Sequence, residues 1–283
     1  MTALEILGSP YDLAVRAERV DTLNWLDMHE AAPTPVRHAL GLAARRHGEL
    51  AMVRSGIPFS HFNMVLTLGC PASVDEAAFQ AIEPFYAGNG CGRHWVLVNE
   101  HSRPADLGQQ LLARGYRSDG AWDRVILRGA RPALWRAHGR DCEAVDATNA
   151  EQWIGFLRQC YGVPPPVGEW LRALVGRRGW HHMLRREGGR AGAPVVMARS
   201  AFVDEAGWAW LGVDAPVPGV MAPCFADDQQ VTAALLQATA AAGAHSFVSD
   251  IEAPSPERQG PGYTAWGELG FEARYLRRLF VKG

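Results

Sequence analysis

Two pairs of carboxylates in the C-terminal half of this 283-residue chain stand where chemistry could be done. Asp250 and Glu252 close the apolar run Ser246–Ile251 and lie two residues apart. At strand periodicity both point to one side. A carboxylate at such a strand end can take a proton from an amine, directly or through water. The competing reading is a solvated loop mouth. Asp227 and Asp228 sit differently, at the opening of an alanine-rich helix inside Leu211–Ala242. That segment reads strand, loop, helix. Such a layout gathers backbone N–H groups and the helix dipole at one point and suits an anion. Two carboxylates there cap the helix but repel a phosphate. Like charges about 4 Å apart repel by about 1 kcal/mol in water and about 4 kcal/mol at an effective dielectric of 20. The expectation is an anion site opposed by its own first turn.

The remaining candidates are weighed the same way. Tyr263 begins the helix Gly262–Leu269 and reads either as a proton donor to a leaving group or as a packing tyrosine. His181 and His182 are adjacent on a strand, face opposite sides and share no metal-ligand spacing, so no metal site is expected. Cys224, in the loop before the acidic helix, reads as an inward-packing thiol. The five cysteines are scattered and none forms a C-x-x-C pair. Trp208, Trp210 and Trp266 read as one wall of a cleft or as ordinary core.

The elements that must position these groups follow from periodicity and punctuation. Residues 11–30 and 34–48 read as helices, then Glu49–Ser55 and Phe62–Leu68 as strands. Val74–Ala87 is a predicted helix, with Ser73 and Glu76 as its capping box. His94–Val98 is a strand, Ala105–Arg114 a helix, Trp122–Leu127 a strand. Residues 131–140 read as a linker between a domain at 1–130 and a second at 141–283. The second opens on a capping box, Thr148 with Glu151. It continues with helices to Cys160 and over Val167–Val175, and strands Trp180–Glu187, Pro194–Val203 and Trp208–Val213. The acidic helix, strand Ser246–Ile251, a short helix and strand Phe271–Val281 close it. The halves thus read α-α-β-β-α-β-α-β and α-α-β-β-β-α-β-α-β, an α/β repeat in element order.

That order, with its local wording, resembles the GCN5-related N-acetyltransferase (GNAT) superfamily in its tandem arrangement. Trp180–Val196 resembles the family's second and third strands, and Trp208–Val213 the central strand that pairs with the pantetheine arm. Tyr263–Tyr275 resembles the closing helix, Gly-Phe turn and last strand. Phe62–Gly69 through Leu111–Tyr116 is similar to a degenerate first domain. The resemblance implies two domains, each a mixed, mostly antiparallel sheet flanked by helices. It implies an N-acyltransferase moving an acyl group from acetyl-CoA or another acyl-CoA to a small amine. In that reading Asp250 or Glu252 is the base and Tyr263 the acid to the thiolate. Backbone N–H groups of Val213, Asp214 and Ala215 bind the thioester and pantetheine, and Gly219, Val220, Gln229 and Gln230 receive the pyrophosphate. The family's loop is glycine-rich and basic there, whereas this chain carries Asp227 and Asp228 and an apparent insertion at 219–226. The alternative is a GNAT-like ligand- or partner-binding protein that has lost coenzyme A.

Composition bounds the rest. Hydrophobic residues make up 48% and charged residues 20%, enough to fill a core, and the net charge of −2 leaves neither half basic. No nucleic-acid partner is expected. No apolar run approaches the ~20 residues of a membrane span. The first residues lack a basic segment before an apolar one, so no signal peptide is read and a cytoplasmic monomer or homodimer is expected.

Overall fold

The computed structural model describes residues 9–88, 91–216, 225–252 and 261–283. The chain divides into two compact units. The first comprises Met1–Arg124 with Tyr275–Gly283, the second Val125–Arg274.

In the first unit, α1 (Pro10–Ala31) is opened by a reciprocal box in which Ser9 and Asp12 each accept the other's backbone N–H. Helix α2 (Thr34–Leu40) stops at Gly41, whose φ of 62° is left-handed. The chain then turns into β1 (Ala43–His47), which forms a hairpin with β2 (Leu50–Arg54). The single helix expected over 34–48 is therefore a helix and a strand. The polar run Ala-Ala-Arg-Arg-His lacks strand alternation because β1 lies at the edge of its sheet, where both faces meet water. Strand β3 (Met64–Leu66) precedes α3 (Glu76–Tyr86). Asp75, and not Ser73, caps that helix, accepting from the Ala78 N–H at 2.8 Å. Strand β4 (His94–Asn99), α4 (Leu107–Ala113) and β5 (Arg117–Arg128) complete the half.

Strand β11 (Glu272–Lys282) adds to this sheet, pairing antiparallel with β4 from Arg277↔Asn99 to Lys282↔His94. One core gathers Met52, Val65, Ile82, Val96, Leu111 and Phe280. Beneath α1, Glu18 and Asp21 meet Arg124 and Arg277, all four buried. Asp21 accepts from both arginines at 2.7 Å, and Glu18 accepts from Arg277 and the Tyr275 hydroxyl. Two cations and two anions balance there, which is what desolvated charges require.

The second unit contains the residues read as a linker. Residues 132–138 form α5 (Pro132–His138), and Trp135 is fully buried with its indole N–H donating to the Leu269 carbonyl. The boundary between units falls inside β5, and β11 continues from the second unit into the first. Strand β6 (Cys142–Ala144), α6 (Ala150–Tyr161) and α7 (Pro166–Arg172) follow. Helix α6 starts from Asn149 without a side-chain cap, because Thr148 donates to Asp146 and Glu151 pairs with Arg172. Then come β7 (Trp180–Arg186), β8 (Val195–Val203), β9 (Trp208–Ala215), α8 (Phe225–Ala241), β10 (Ser246–Glu252) and α9 (Pro261–Glu268). The strands run β10-β9-β8-β7-β6 across the sheet. With β1 recovered, the first unit reads α-α-β-β-β-α-β-α-β, and the second repeats that order from α6 onward, after an additional helix and strand, α5 and β6. Among the described residues no helix is long and apolar enough to cross a membrane.

Candidate functional site

Two features of β9 build an opening in the second unit. Toward β8 its ladder runs to Ser200↔Gly212 and resumes at Ala198↔Ala215, so β9 carries one extra residue, a bulge. Val213 sits in it with φ of 48°, a conformation a β-branched residue adopts only when its surroundings force it. Toward β10 the parallel ladder runs from Trp208↔Ser246 to Trp210↔Val248. Past that point the Ser249 hydroxyl reaches across and donates to the Leu211 carbonyl at 3.0 Å. A fork follows, with the bulge on one arm and Asp250 and Glu252 on the other.

The acidic start of α8 meets this fork through arginines from the sheet. Arg199, on β8, is buried. Its guanidinium donates to Asp214 Oδ2 at 2.9 Å and pairs with Asp228 Oδ1 at 2.9 Å. It also donates to the Thr232 hydroxyl and lies 4.7 Å over the Trp266 ring. One cation thus ties the bulge, the helix start and α9. Arg185, on β7, donates to Asp227 Oδ1 at 2.6 Å and to the Arg140 and Asp141 carbonyls. Burial pushes the Asp228 carboxyl up to about 6, with Asp214 adding to the rise and Arg199 opposing it. Burial also holds the Tyr161 phenol far above its ordinary value, so it stays protonated and donates to the Asp214 carbonyl.

This changes the electrostatic expectation. Asp227 and Asp228 do not face the helix start as bare charges, because each has its own arginine. Counted with Asp214, three carboxylates meet two guanidiniums, leaving an excess of one negative charge. Arg185, Arg199 and Tyr161 are not among the residues expected from sequence. A signal for Arg199 was present, since a lone arginine in the apolar run Val195–Val203 must find a carboxylate to be buried.

The other expected residues divide. Val213, Asp214 and Ala215 lie together at the bulge. Gln230 is half-buried in α8. Gln229 turns to α9, where its amide donates to Glu268 Oε2 at 2.6 Å. Asp250 is half-buried near the end of β10. Glu252 is the last residue of β10 and Tyr263 the third of α9. Gly219, Val220 and Cys224, with most of the supposed insertion, lie outside the described residues.

Trp208, Trp210 and Trp266 are core side chains at 3%, 5% and 5% exposure and do not form a cleft wall. His182 is buried between the Ser200 hydroxyl and the Leu174 carbonyl, and burial lowers it to about 4. Among the described residues no group of three His, Cys, Asp or Glu side chains could hold a metal.

No protein-family model and no curated protein matches the sequence. Solved structures match it in shape. A GCN5-related N-acetyltransferase from Kribbella flavida aligns over 94% of this chain and 95% of its own, with a TM-score of 0.59 at 12% identity. A tandem GNAT protein from the clavulanic acid biosynthesis pathway, solved without acetyl-CoA, aligns over 95% and 96%, with a TM-score of 0.56 at 14% identity. A conserved protein of unknown function from Staphylococcus epidermidis aligns over 89% and 98%, with a TM-score of 0.53 at 6% identity. At these identities the likeness concerns the fold, and the fold of this chain is the tandem GNAT fold.

Proposed function

We propose that this chain is an acyl-CoA-dependent N-acyltransferase acting on a small amine, with its working site in the second unit. The observation that carries the reading is the fork past Trp210↔Val248, with a bulged β9 on one side and Asp250 on the other. Past the fork Val213–Ala215 have no ladder partner on β10, and that side of β9 suits an extended amide-containing arm. The N–H groups of the first turn of α8 suit a pyrophosphate. The neutralisation of Asp227 by Arg185 and of Asp228 by Arg199 removes most of the charge that would oppose it.

Acyl-CoA would supply the activated thioester. Asp250 holds the proton released by the attacking amine, with Glu252 as the alternative base. Tyr263 is the proton donor toward the leaving thiolate. The first unit is structural. A second reading, a ligand-binding module without catalysis, is favoured by the one excess negative charge at the start of α8.

Thermal-shift titration with acetyl-CoA, joined to a free-thiol assay over a panel of small amines, separates the readings. The expected result is a saturable shift and amine-dependent thiol release. Asp250→Asn then lowers kcat by about 100-fold or more while the shift survives. No shift with millimolar acetyl-CoA overturns the proposal. That result favours the second reading, in which coenzyme A binding is lost, whereas a shift without thiol release from any amine overturns the catalytic part of the proposal.

A further inference from the structure

The first unit has an edge that the proposed reaction leaves unused. Among the described residues β1 is the outermost strand of its sheet and pairs only with β2. The hairpin turns through Gly48 and Glu49, so His47 and Leu50 form its hydrogen-bonded closing pair. Alternation along an antiparallel ladder then places Arg45 and Ala43 in hydrogen-bonded pairs as well. The N–H and C=O groups of Ala44 and Arg46 therefore point away from β2, at the spacing a further strand would need.

Beside this edge runs an open groove of about 480 Å³, lined by β1, α2 and the end of α1. Leu26, Leu42 and Ala43 are the larger apolar contributors to its lining. Its charged lining residues are Arg37, Arg45 and Arg46 with Glu30, an excess of positive charge, and the Arg45 guanidinium lies 5.2 Å from the centre of the Phe85 ring. Arg45 and Arg46 are exposed, although the protein as a whole is slightly acidic. A second copy of β1 fits poorly, because antiparallel pairing centred on Arg45 sets guanidinium against guanidinium.

We propose that this edge docks an extended acidic segment of a partner protein, added as one more strand beside β1. Main-chain bonds to Ala44 and Arg46 give the affinity, and the arginines select for carboxylates.

The test uses the full chain and a fluorescein-labelled octapeptide of alternating glutamate and valine, read by anisotropy at low salt. Saturable binding is expected, weakening as salt rises. Ala44→Pro removes one outward N–H while leaving the hairpin ladder intact. It should raise Kd by about tenfold or more, as should Arg45→Glu with Arg46→Glu, two exposed positions that keep the fold. Each variant's thermal midpoint is measured alongside, and the charge-reversed pair carries the test if Ala44→Pro does not fold.

Absence of saturable binding up to about 1 mM peptide overturns the proposal, since it leaves the arginines as protection of a bare edge. Binding insensitive to Ala44→Pro in a folded variant, or matched by an oligodeoxythymidylate, overturns it in favour of simple polyanion attraction. A concentration-dependent dimer that Ala44→Pro abolishes, without peptide binding, overturns it in favour of a second copy.

Discussion

The two units trace the same path through the equivalent strand–loop–helix and treat its mouth in opposite ways. In each, a parallel ladder is followed by a non-glycine residue with positive φ, Thr67 at 61° in the first unit and Val213 at 48° in the second. In the first unit the loop after β4 then fills the mouth. The Arg103 N–H donates to the Gly69 carbonyl at 2.8 Å, and the Arg103 carbonyl accepts from Val74 at 3.0 Å. A Cβ at Gly69 would meet that carbonyl at 2.8 Å, so backbone packs directly on backbone. The Asp75 cap closes the start of α3. In the second unit side-chain charge occupies the corresponding place, as Arg199 spans Asp214 and Asp228. The lesson is that one backbone path serves as a sealed core or as a polar slot, depending on whether backbone or charge fills the mouth.

Removing the charge should break the comparison most sharply. Arg199→Met leaves Asp214 and Asp228 without their shared cation, and Asp228 is almost fully buried. The expected loss is about 3–5 kcal/mol, read by urea unfolding. Arg103→Ala in the first unit should cost less than about 1 kcal/mol, because Arg103 is exposed and acts there through its backbone. Adding Asp228→Asn to Arg199→Met should recover part of the loss. Equal losses at the two arginines would mean that charge does not organise the second mouth.

Next in size is a pH effect confined to the second unit. Asp228 ionises near its ordinary 3.8 in the unfolded chain and near about 6 in the folded one. Between those values the folded protein holds the extra proton, so the contribution of this residue is complete below 3.8 and is lost as pH rises through about 6. Asp228→Asn has no such titration. Its stability relative to the parent should therefore rise by about 3 kcal/mol from below pH 4 to above pH 6. His182, lowered to about 4 by burial, changes in the opposite direction but is common to both proteins and cancels. A difference that stays flat with pH would place Asp228 in water.

The legible and illegible parts of the sequence follow from the range of the interactions. Helices, buried strands and the repeat were readable because apolar periodicity and glycine stops are local. β1 was not, because an edge strand wet on both faces has no alternation to show. The residues at 132–138 were misread because proline and glycine punctuate them, while the burial of Trp135 depends on Leu269 far along the chain. At the site, Leu211–Ala242 announced the strand, loop and helix. It could not announce neutralisation, since Arg185 and Arg199 reach Asp227 and Asp228 from neighbouring strands. In sequence the two carboxylates stand alone, whereas the fold supplies a counter-ion for each.

The smallest effect tests where the two forks close. One residue past the last paired position, the first unit carries Leu97 and the second Ser249. Leu97 is a buried apolar side chain with no hydrogen-bonding group to offer, whereas Ser249 donates to the Leu211 carbonyl. Ser249→Ala removes that donor from a buried carbonyl and should cost about 1 kcal/mol. Hydrogen exchange at Gly212–Ala215 should quicken, because the hydroxyl ties the two arms just before the bulge. Ser249→Leu, which copies the first unit, should slow that exchange and weaken any acetyl-CoA binding. If neither variant alters exchange at the bulge, the fork is set by Arg199 alone and the hydroxyl only satisfies a carbonyl.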